Sequence, residues 1–409
     1  MPTDPNPVTA ELDALYARLE HTAATKVGFP DASDIDYSAL DRFSRFLLNN
    51  IGDPATDGAY PHHTKPMERE VVTTIADLLR APADDRWGYV TSGATEGSEY
   101  ALLVARRRYP DAIVYHSEAA HFADIGIFER LCLNDRITIR CDDTEEMIYQ
   151  DLARQVDRRR DRPAIVIANA GTGWHEAVDD VRQITAVLDE AAVRRRFIHV
   201  DAALSGVPLA TIEPDQRPGF DFADGADSVI VSGHKFLGTP MPCGVVIVKA
   251  SHRGYPGAVT YTGSADTTIS NSRNGHAALA LWYALRTVGI EGLAQRARHA
   301  RELAAFTQQR LTGIGWPATH HPHAMTVAIP TPPAVMTTTW ALPDHEGQSR
   351  IVCVPGMTRT QIDTLVSDLT TWVAVDRPAT TVDGAQPESP PSEGLNPRRH
   401  CDRAPIPVP

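Results

Sequence analysis

The stretch Val229-Ile230-Val231-Ser232-Gly233-His234-Lys235-Phe236-Leu237-Gly238-Thr239-Pro240 carries a β-branched apolar run straight into Ser-Gly-His-Lys. The run has the composition of a buried strand, and Gly233 marks a sharp exit from it. Lys235 is thereby delivered to the end of a central strand, the place where α/β folds build their sites. A lysine stem walled by protein has a lowered pKa, which frees its amine. A free amine can hold a carbonyl cofactor as a Schiff base. Taken alone, the same lysine reads as an edge charge at a strand end, so the functional reading needs support elsewhere in the chain.

Outward from this run, similar segments recur. Strands are predicted over Trp87 to Thr91, Ala112 to Tyr115, Ile137 to Arg140, Ala164 to Ala168, Phe197 to Val200, Ser228 to Val231 and Val245 to Val248. Ala164-Ile165-Val166-Ile167-Ala168 is apolar throughout, as a strand covered on both faces must be. Helical patterns lie between, over Glu99 to Arg108 and Val181 to Arg194. The alternation predicts an α/β fold with a mostly parallel central sheet. Beyond Arg273 the pattern changes. Long helices are predicted over Ala277 to Thr287 and Leu293 to Leu311, strands over Ala324 to Ile329 and Arg350 to Val354, and a last helix over Thr360 to Ala374. The resulting division is an N-terminal helical segment (1–50), a large cofactor-binding domain (51–285), a small C-terminal α+β domain (286–376) and a Pro-rich tail (377–409). The tail, ending Pro405-Ile406-Pro407-Val408-Pro409, has the composition of a disordered segment.

Composition narrows the function class. A net charge of −13 argues against nonspecific nucleic-acid binding. No apolar run is long enough for a membrane span, and the N-terminus lacks the basic and apolar regions of a signal peptide. Cys132, Cys141, Cys243, Cys353 and Cys401 show no paired spacing, so neither a disulfide framework nor a zinc site is expected, and a cytoplasmic location is. No metal is expected at His320-His321-Pro322-His323 either, because no carboxylate or cysteine stands at ligand spacing.

Other segments carry chemistry. Thr91-Ser92-Gly93-Ala94-Thr95-Glu96-Gly97 joins a strand to a helix, with glycines for the turn and hydroxyls and helix N-terminal amides for an anion. It is neither a dinucleotide fingerprint nor a P-loop. Phe197-Ile198-His199-Val200-Asp201-Ala202-Ala203-Leu204-Ser205-Gly206 puts a carboxylate at a second strand end. Asp201 there either caps the following helix or serves a ligand. His121 lies in Ser117-Glu118-Ala119-Ala120-His121-Phe122, and Thr172 in Asn169-Ala170-Gly171-Thr172-Gly173.

Together and in this order, from about Tyr37 to Trp372, these motifs resemble those of the pyridoxal-phosphate-dependent group II amino-acid decarboxylases. Among these, the bacterial histidine decarboxylases and plant serine decarboxylases are the most similar. Asn49-Asn50-Ile51-Gly52-Asp53-Pro54 and Ser272-Arg273-Asn274-Gly275-His276-Ala277 extend the likeness. The resemblance implies an aspartate-aminotransferase-like (fold type I) architecture, pyridoxal 5'-phosphate as cofactor and a homodimer. It also implies roles for particular residues. Lys235 carries the cofactor, Asp201 pairs with its pyridine nitrogen, and His121 and Ala203 lie against its two faces. Ser92, Gly93, Ala94, Thr95, Ser232 and His234 sit near its phosphate, and Thr172 near its ring hydroxyl. The expected reaction is loss of CO2 from an L-amino acid. Oxidative deamination, transamination and retro-aldol cleavage are the alternatives on the same scaffold. Tyr60, His62 and His63 fall where the family places substrate-facing residues, although Asp57-Gly58-Ala59-Tyr60-Pro61-His62-His63-Thr64 departs from its usual pattern.

Overall fold

The computed structural model describes residues 7–254, 258–259 and 261–376. The Pro-rich segment read as a disordered tail lies outside the described residues. The chain opens with α1 (Pro7–Ala23), an extended stretch and α2 (Lys65–Leu78). It then alternates through β1 (Trp87–Thr91), α3 (Ala94–Arg108), β2 (Ile113–Ser117), α4 (Ala123–Arg130), β3 (Arg136–Ile139), α5 (Tyr149–Asp157), β4 (Ala164–Asn169), α6 (Val181–Glu190), β5 (Arg196–Asp201), α7 (Gly206–Ala210), β6 (Ser228–Ser232) and β7 (Gly244–Val248). A two-residue hairpin, β8 (Ala258–Val259) with β9 (Ser264–Ala265), precedes the long α8 (Gly275–Gly313). The chain closes with β10 (Thr326–Pro330), α9 (Ala334–Thr339), β11 (Gln348–Val352) and α10 (Arg359–Asp376).

Seven strands form one sheet in the order β1-β7-β6-β5-β4-β2-β3. All neighbours are parallel except β7, which runs antiparallel to both β1 and β6. Strand β4 shows why its sequence is apolar throughout. Val166 and Ala168 join one apolar core with α2, α5, α6 and α8, whereas Ile165 and Ile167 join a second core with α3 and α4. With both faces covered, no position is left for a polar alternation. A third cluster gathers β10, β11, α9, α10 and the second half of α8.

The two helices predicted after Arg273 are one element with a break at Gly289, where φ is +66°. The first half packs against α2 in the large core, and the second half reaches the C-terminal cluster. The predicted strands over 87–91 and 164–168 match β1 and β4 to within a residue at either end. By contrast, α2, α4 and α5 were not foreseen. The last two are only eight and nine residues long, too short for the helical spacing of Tyr149, Leu152 and Val156 in α5 to be repeated.

Candidate active site

Register places the functional side chains. Across the sheet, Thr91 pairs with Gly244 and Gly244 with Ser232, so the loop after β1 and the lysine turn after β6 leave the same edge. A methyl group on Gly244 would come within 2.9 Å of the Val231 carbonyl oxygen and 3.0 Å of the Thr91 hydroxyl, so a side chain between the two turns would force the backbone to shift. On the other side of β6, Asp201 pairs with Ile230, and Asn169 pairs with Asp201. The carboxyl ends of β4, β5 and β6 therefore bring Asn169, Asp201 and Lys235 to one side of the sheet.

These three residues line a cavity of about 460 Å³ together with His121, Thr172, Ala203 and His234. Burial pushes the Lys235 pKa down, and Arg350 adds to the effect, while Asp201 and Glu176 oppose it. The result is an amine closer to its neutral, nucleophilic form. One Asp201 oxygen accepts the Ala203 amide at 3.0 Å, which holds the carboxylate in a turn and leaves its other oxygen available. The capping expectation is not met, because α7 begins only at Gly206 with Ser205 at its N-cap.

His121 has its Nδ1 3.2 Å from the Ala123 amide, which donates to it, so the neutral ring carries its proton on Nε2. Packing around the ring lowers its pKa below the ordinary histidine value, and neutrality is favoured. Thr172 is buried, and its hydroxyl accepts the Ala177 amide at 2.9 Å. That turn depends on Gly171, whose φ is +109° and where a methyl group would lie 2.2 Å from Ser205 Oγ. Asn169 is held by Ser117 Oγ at 2.9 Å and by buried Asp179 at 3.0 Å. Burial raises the Asp179 carboxyl to about 6.

The anion end lies beside this cavity. Ser232 Oγ is buried and has no hydrogen-bond partner. An orphaned hydroxyl at a strand end is the arrangement a bound acceptor would satisfy. Gly93, Ala94 and Thr95 present the first amides of the 15-residue helix α3, which have no intrahelical acceptor. Ser92 is turned inward to its own loop, because its amide and hydroxyl both donate to Glu96, at 2.8 and 2.6 Å. His234 Nδ1 sits 3.2 Å from the Cys243 amide, which fixes its ring beside the lysine.

Tyr60, His62 and His63 are not among the residues lining the Lys235 cavity. Tyr60 donates to the Leu47 carbonyl at 3.2 Å and meets His62 edge-on, and His63 Nδ1 faces the Lys65 amide. This segment packs instead beside Asn49-Asn50, where buried Glu68 ties Asn50 to Arg273. The cavity's remaining wall was missed in the sequence. It consists of Lys26, Phe29, Pro30 and Asp31 from the stretch after α1, and Arg350 from β11. Arg350 bonds the Gly173 carbonyl and lies under the Trp174 ring, which in turn stacks on His345 at 5.2 Å. No motif marked these residues, since their role comes from where the fold carries them.

Residues 46–314 match the pyridoxal-dependent decarboxylase conserved domain. The chain belongs to this family. The histidine decarboxylase of Mesorhizobium japonicum is 40% identical over 360 residues, covering 88% of this chain and 96% of that relative. The histidine decarboxylase of Acinetobacter baumannii (strain ATCC 17978) is 34% identical over 347 residues, covering 84% and 90%. Among solved structures, L-methionine decarboxylase from Streptomyces sp. 590 superposes with a TM-score of 0.82 at 25% identity, covering 92% of this chain and 97% of the other. The protein is a pyridoxal-phosphate-dependent amino-acid decarboxylase with the fold type I architecture. The donor set agrees with that cofactor: an amine of lowered pKa, a carboxylate and an imidazole line one cavity, and an unsatisfied buried hydroxyl, Ser232 Oγ, lies three residues before the lysine. No helix among the described residues is long and apolar enough to cross a membrane.

Proposed function

We propose that this decarboxylase acts on L-histidine and releases histamine and CO2. The reading rests above all on the relative from Mesorhizobium japonicum, named a histidine decarboxylase, which is 40% identical along 96% of its length. When bound, the cofactor supplies an electron sink for the pair left at Cα as CO2 departs. Everything else is the work of the chain.

Lys235 Nζ would be the amine that holds the cofactor's aldehyde. Asp201 would pair with its ring nitrogen and keep the ring electron-poor. His121 and Ala203 would lie against its two faces. Gly93, Ala94, Thr95, Ser232 and His234 would hold its phosphate, with Ser92 shaping that loop through its bonds to Glu96, and Thr172 would lie near its ring hydroxyl. The depressed pKa of Lys235 would let Nζ take a proton and return it, so this atom is one candidate to protonate Cα, with His121 the other that lines the cavity. Tyr60, His62 and His63 do not border the cavity of the single chain, and they act on substrate from the entrance of an assembled dimer.

A homodimer is supported by helix α1. Leu12, Leu15, Tyr16 and Leu19, spaced as one helical stripe, are all exposed in the single chain. A second copy covering this stripe would remove the apolar surface from water. A cytoplasmic location is supported by the cysteines, since Cys132, Cys141, Cys243 and Cys353 are all free thiols.

The deciding experiment is incubation of the cofactor-loaded protein with each of the twenty amino acids, with amines read by mass spectrometry. Histamine formed fastest supports the reading. A different amine as the dominant product overturns it. Sedimentation at micromolar concentration reads the dimer, and a monomer that retains full turnover removes that part of the proposal.

A further inference from the structure

The stretch Lys26-Val27-Gly28-Phe29-Pro30-Asp31-Ala32-Ser33 has no regular secondary structure, yet it is pinned at both ends. Val27 accepts the Val352 amide at 2.8 Å and donates to Trp340 at 3.3 Å, so it extends the β11 edge. Ala32 donates to the carbonyl of Lys235 itself at 3.1 Å, and Ser33 donates to Pro355. Gly28 lies so close to the chain at 341–343 that a methyl group there would meet Pro343 at 2.4 Å. The stretch is therefore a fixed wall between the lysine turn and the C-terminal cluster. Phe29, Pro30 and Asp31 face the cavity from it.

Asp31 carries an unused acceptor. One oxygen pairs with Lys26 Nζ, whereas Oδ1 is buried and has no partner. Burial lowers the pKa of the His234 ring in the same cavity, and Asp31 opposes that only in part, so this ring is no standing cation for Oδ1. An N–H donor arriving in the cavity would satisfy Oδ1, and an anionic group would gain nothing there. Phe29 beside it offers a flat apolar face. A planar heterocycle that carries an N–H meets both demands, whereas a thioether or alkyl side chain meets only the second.

We propose that Asp31 Oδ1 accepts a hydrogen bond from an imidazole N–H of the substrate and that Asp31, with Phe29, selects histidine over amino acids without a side-chain donor. This inference rests on the histidine reading and adds the residue responsible for it. It assigns Asp31 to substrate recognition, separate from the chemistry at Lys235.

The test uses substrate esters, which bind without losing CO2, titrated into the cofactor-loaded protein and followed by the cofactor's absorbance. Wild-type protein should bind L-histidine methyl ester at least about tenfold more tightly than L-methionine methyl ester, the range expected when a site is built around a donor. Asp31→Ala should bring that ratio down about tenfold by weakening the histidine ester alone, and Asp31→Glu should restore most of it. A series that needs no variant gives the same answer. Of the two ring-N-methylated histidine esters, at least one should bind wild type about tenfold more weakly than the unmethylated ester. Wild type that makes histamine but binds both methylated esters as well as the parent overturns the role of Asp31, as does an Asp31→Ala variant that keeps full selectivity. Wild type that makes no histamine overturns the histidine reading instead.

Discussion

The cavity has two walls of different construction. The sheet wall carries Asn169 and Asp201 at the ends of two paired strands, with Lys235 in the turn that follows the next strand, β6. Behind it, Val200, Val229, Val231 and Ile230 are buried at 1% exposure or less. The opposite wall is made of Lys26 to Asp31 and Arg350, from a stretch without regular structure and from a two-stranded sheet. It is held by single hydrogen bonds such as Ala32 to Lys235 and by the grip of Arg350 on Gly173. Under the proposed function, the first wall would fix the atoms that must not move during bond breaking. The second can change its lining without disturbing the sheet. Chemistry shared by a family belongs on the first, and substrate choice, which differs between members, on the second.

The comparison is broken most directly at Lys235. Lys235→Ala should lower turnover by at least about 10³-fold, because the covalent attachment of the cofactor is lost. Borohydride treatment followed by peptide mass analysis checks the attachment itself. Cofactor fixed to a residue other than Lys235 in the wild type would mean the sheet wall does not hold the chemistry. Asp201→Asn comes next. It preserves shape and one acceptor but removes the charge that the ring nitrogen needs, and a loss of about 10² to 10³-fold in kcat is expected. An asparagine variant within threefold of wild type in kcat would show that the carboxylate serves only as the acceptor of the Ala203 amide.

The two walls also differ in how visible they were in the sequence. Short β-branched apolar runs that end in polar residues mark buried strands, so β4, β5 and β6 could be read directly, whereas the residues at their ends gained a meaning only from the order of the motifs. The parallel sheet followed from the helices between them. The Lys26–Ser33 wall could not be read in that way. It has no period, and its position is set by bonds to residues some 200 and 300 positions away, such as Ala32 to Lys235 and Val352 to Val27. Arg350 sits within a strand that was foreseen, but nothing in the local pattern says that its side chain crosses to Gly173. Tyr60, His62 and His63 show the converse. Their residue types suggested a pocket, whereas in the single chain they pack on Leu47 and on each other.

Glu176 joins the two walls and sharpens the contrast between them. It is fully buried, and it accepts from Ser205 Oγ at 2.6 Å, from the Met325 amide at 2.9 Å and from Thr326 Oγ1 at 2.6 Å. It thus ties the turn before α7 to the start of β10. Glu176→Ala leaves three buried donors without an acceptor, and a loss of about 3 kcal/mol in unfolding free energy is expected. Because the sheet register does not involve Glu176, the cofactor should still attach to Lys235 in the folded variant. A variant as stable as wild type in urea titration would mean that the walls are held together elsewhere.

The smallest effect concerns the sheet wall alone. His199 lies in β5, two residues before Asp201, with Nδ1 2.8 Å from Ser228 Oγ and Nε2 3.0 Å from Ser98 Oγ. Burial lowers its pKa to about 4, against the pull of Asp201, so it is neutral at physiological pH. The unfolded chain takes up a proton on this histidine as pH falls through about 6.5, and the folded protein does not until about 4. The stability tied to neutral His199 is therefore complete above pH of about 6.5 and is lost between there and about 4. Asp179 works the other way. Its carboxyl, raised to about 6, favours the folded state as pH falls, so the wild-type acid limb is a partial cancellation. Comparing His199→Gln with wild type removes the Asp179 contribution from both. The variant should be less stable at neutral pH, where the fitted imidazole is missing. Its deficit should shrink by about 2 to 3 kcal/mol as pH is lowered from about 7.5 to about 4.5. Stability curves that run parallel across this range would show that the ring beneath Asp201 is charged in the folded protein. The sheet wall would then be less dry than its packing implies.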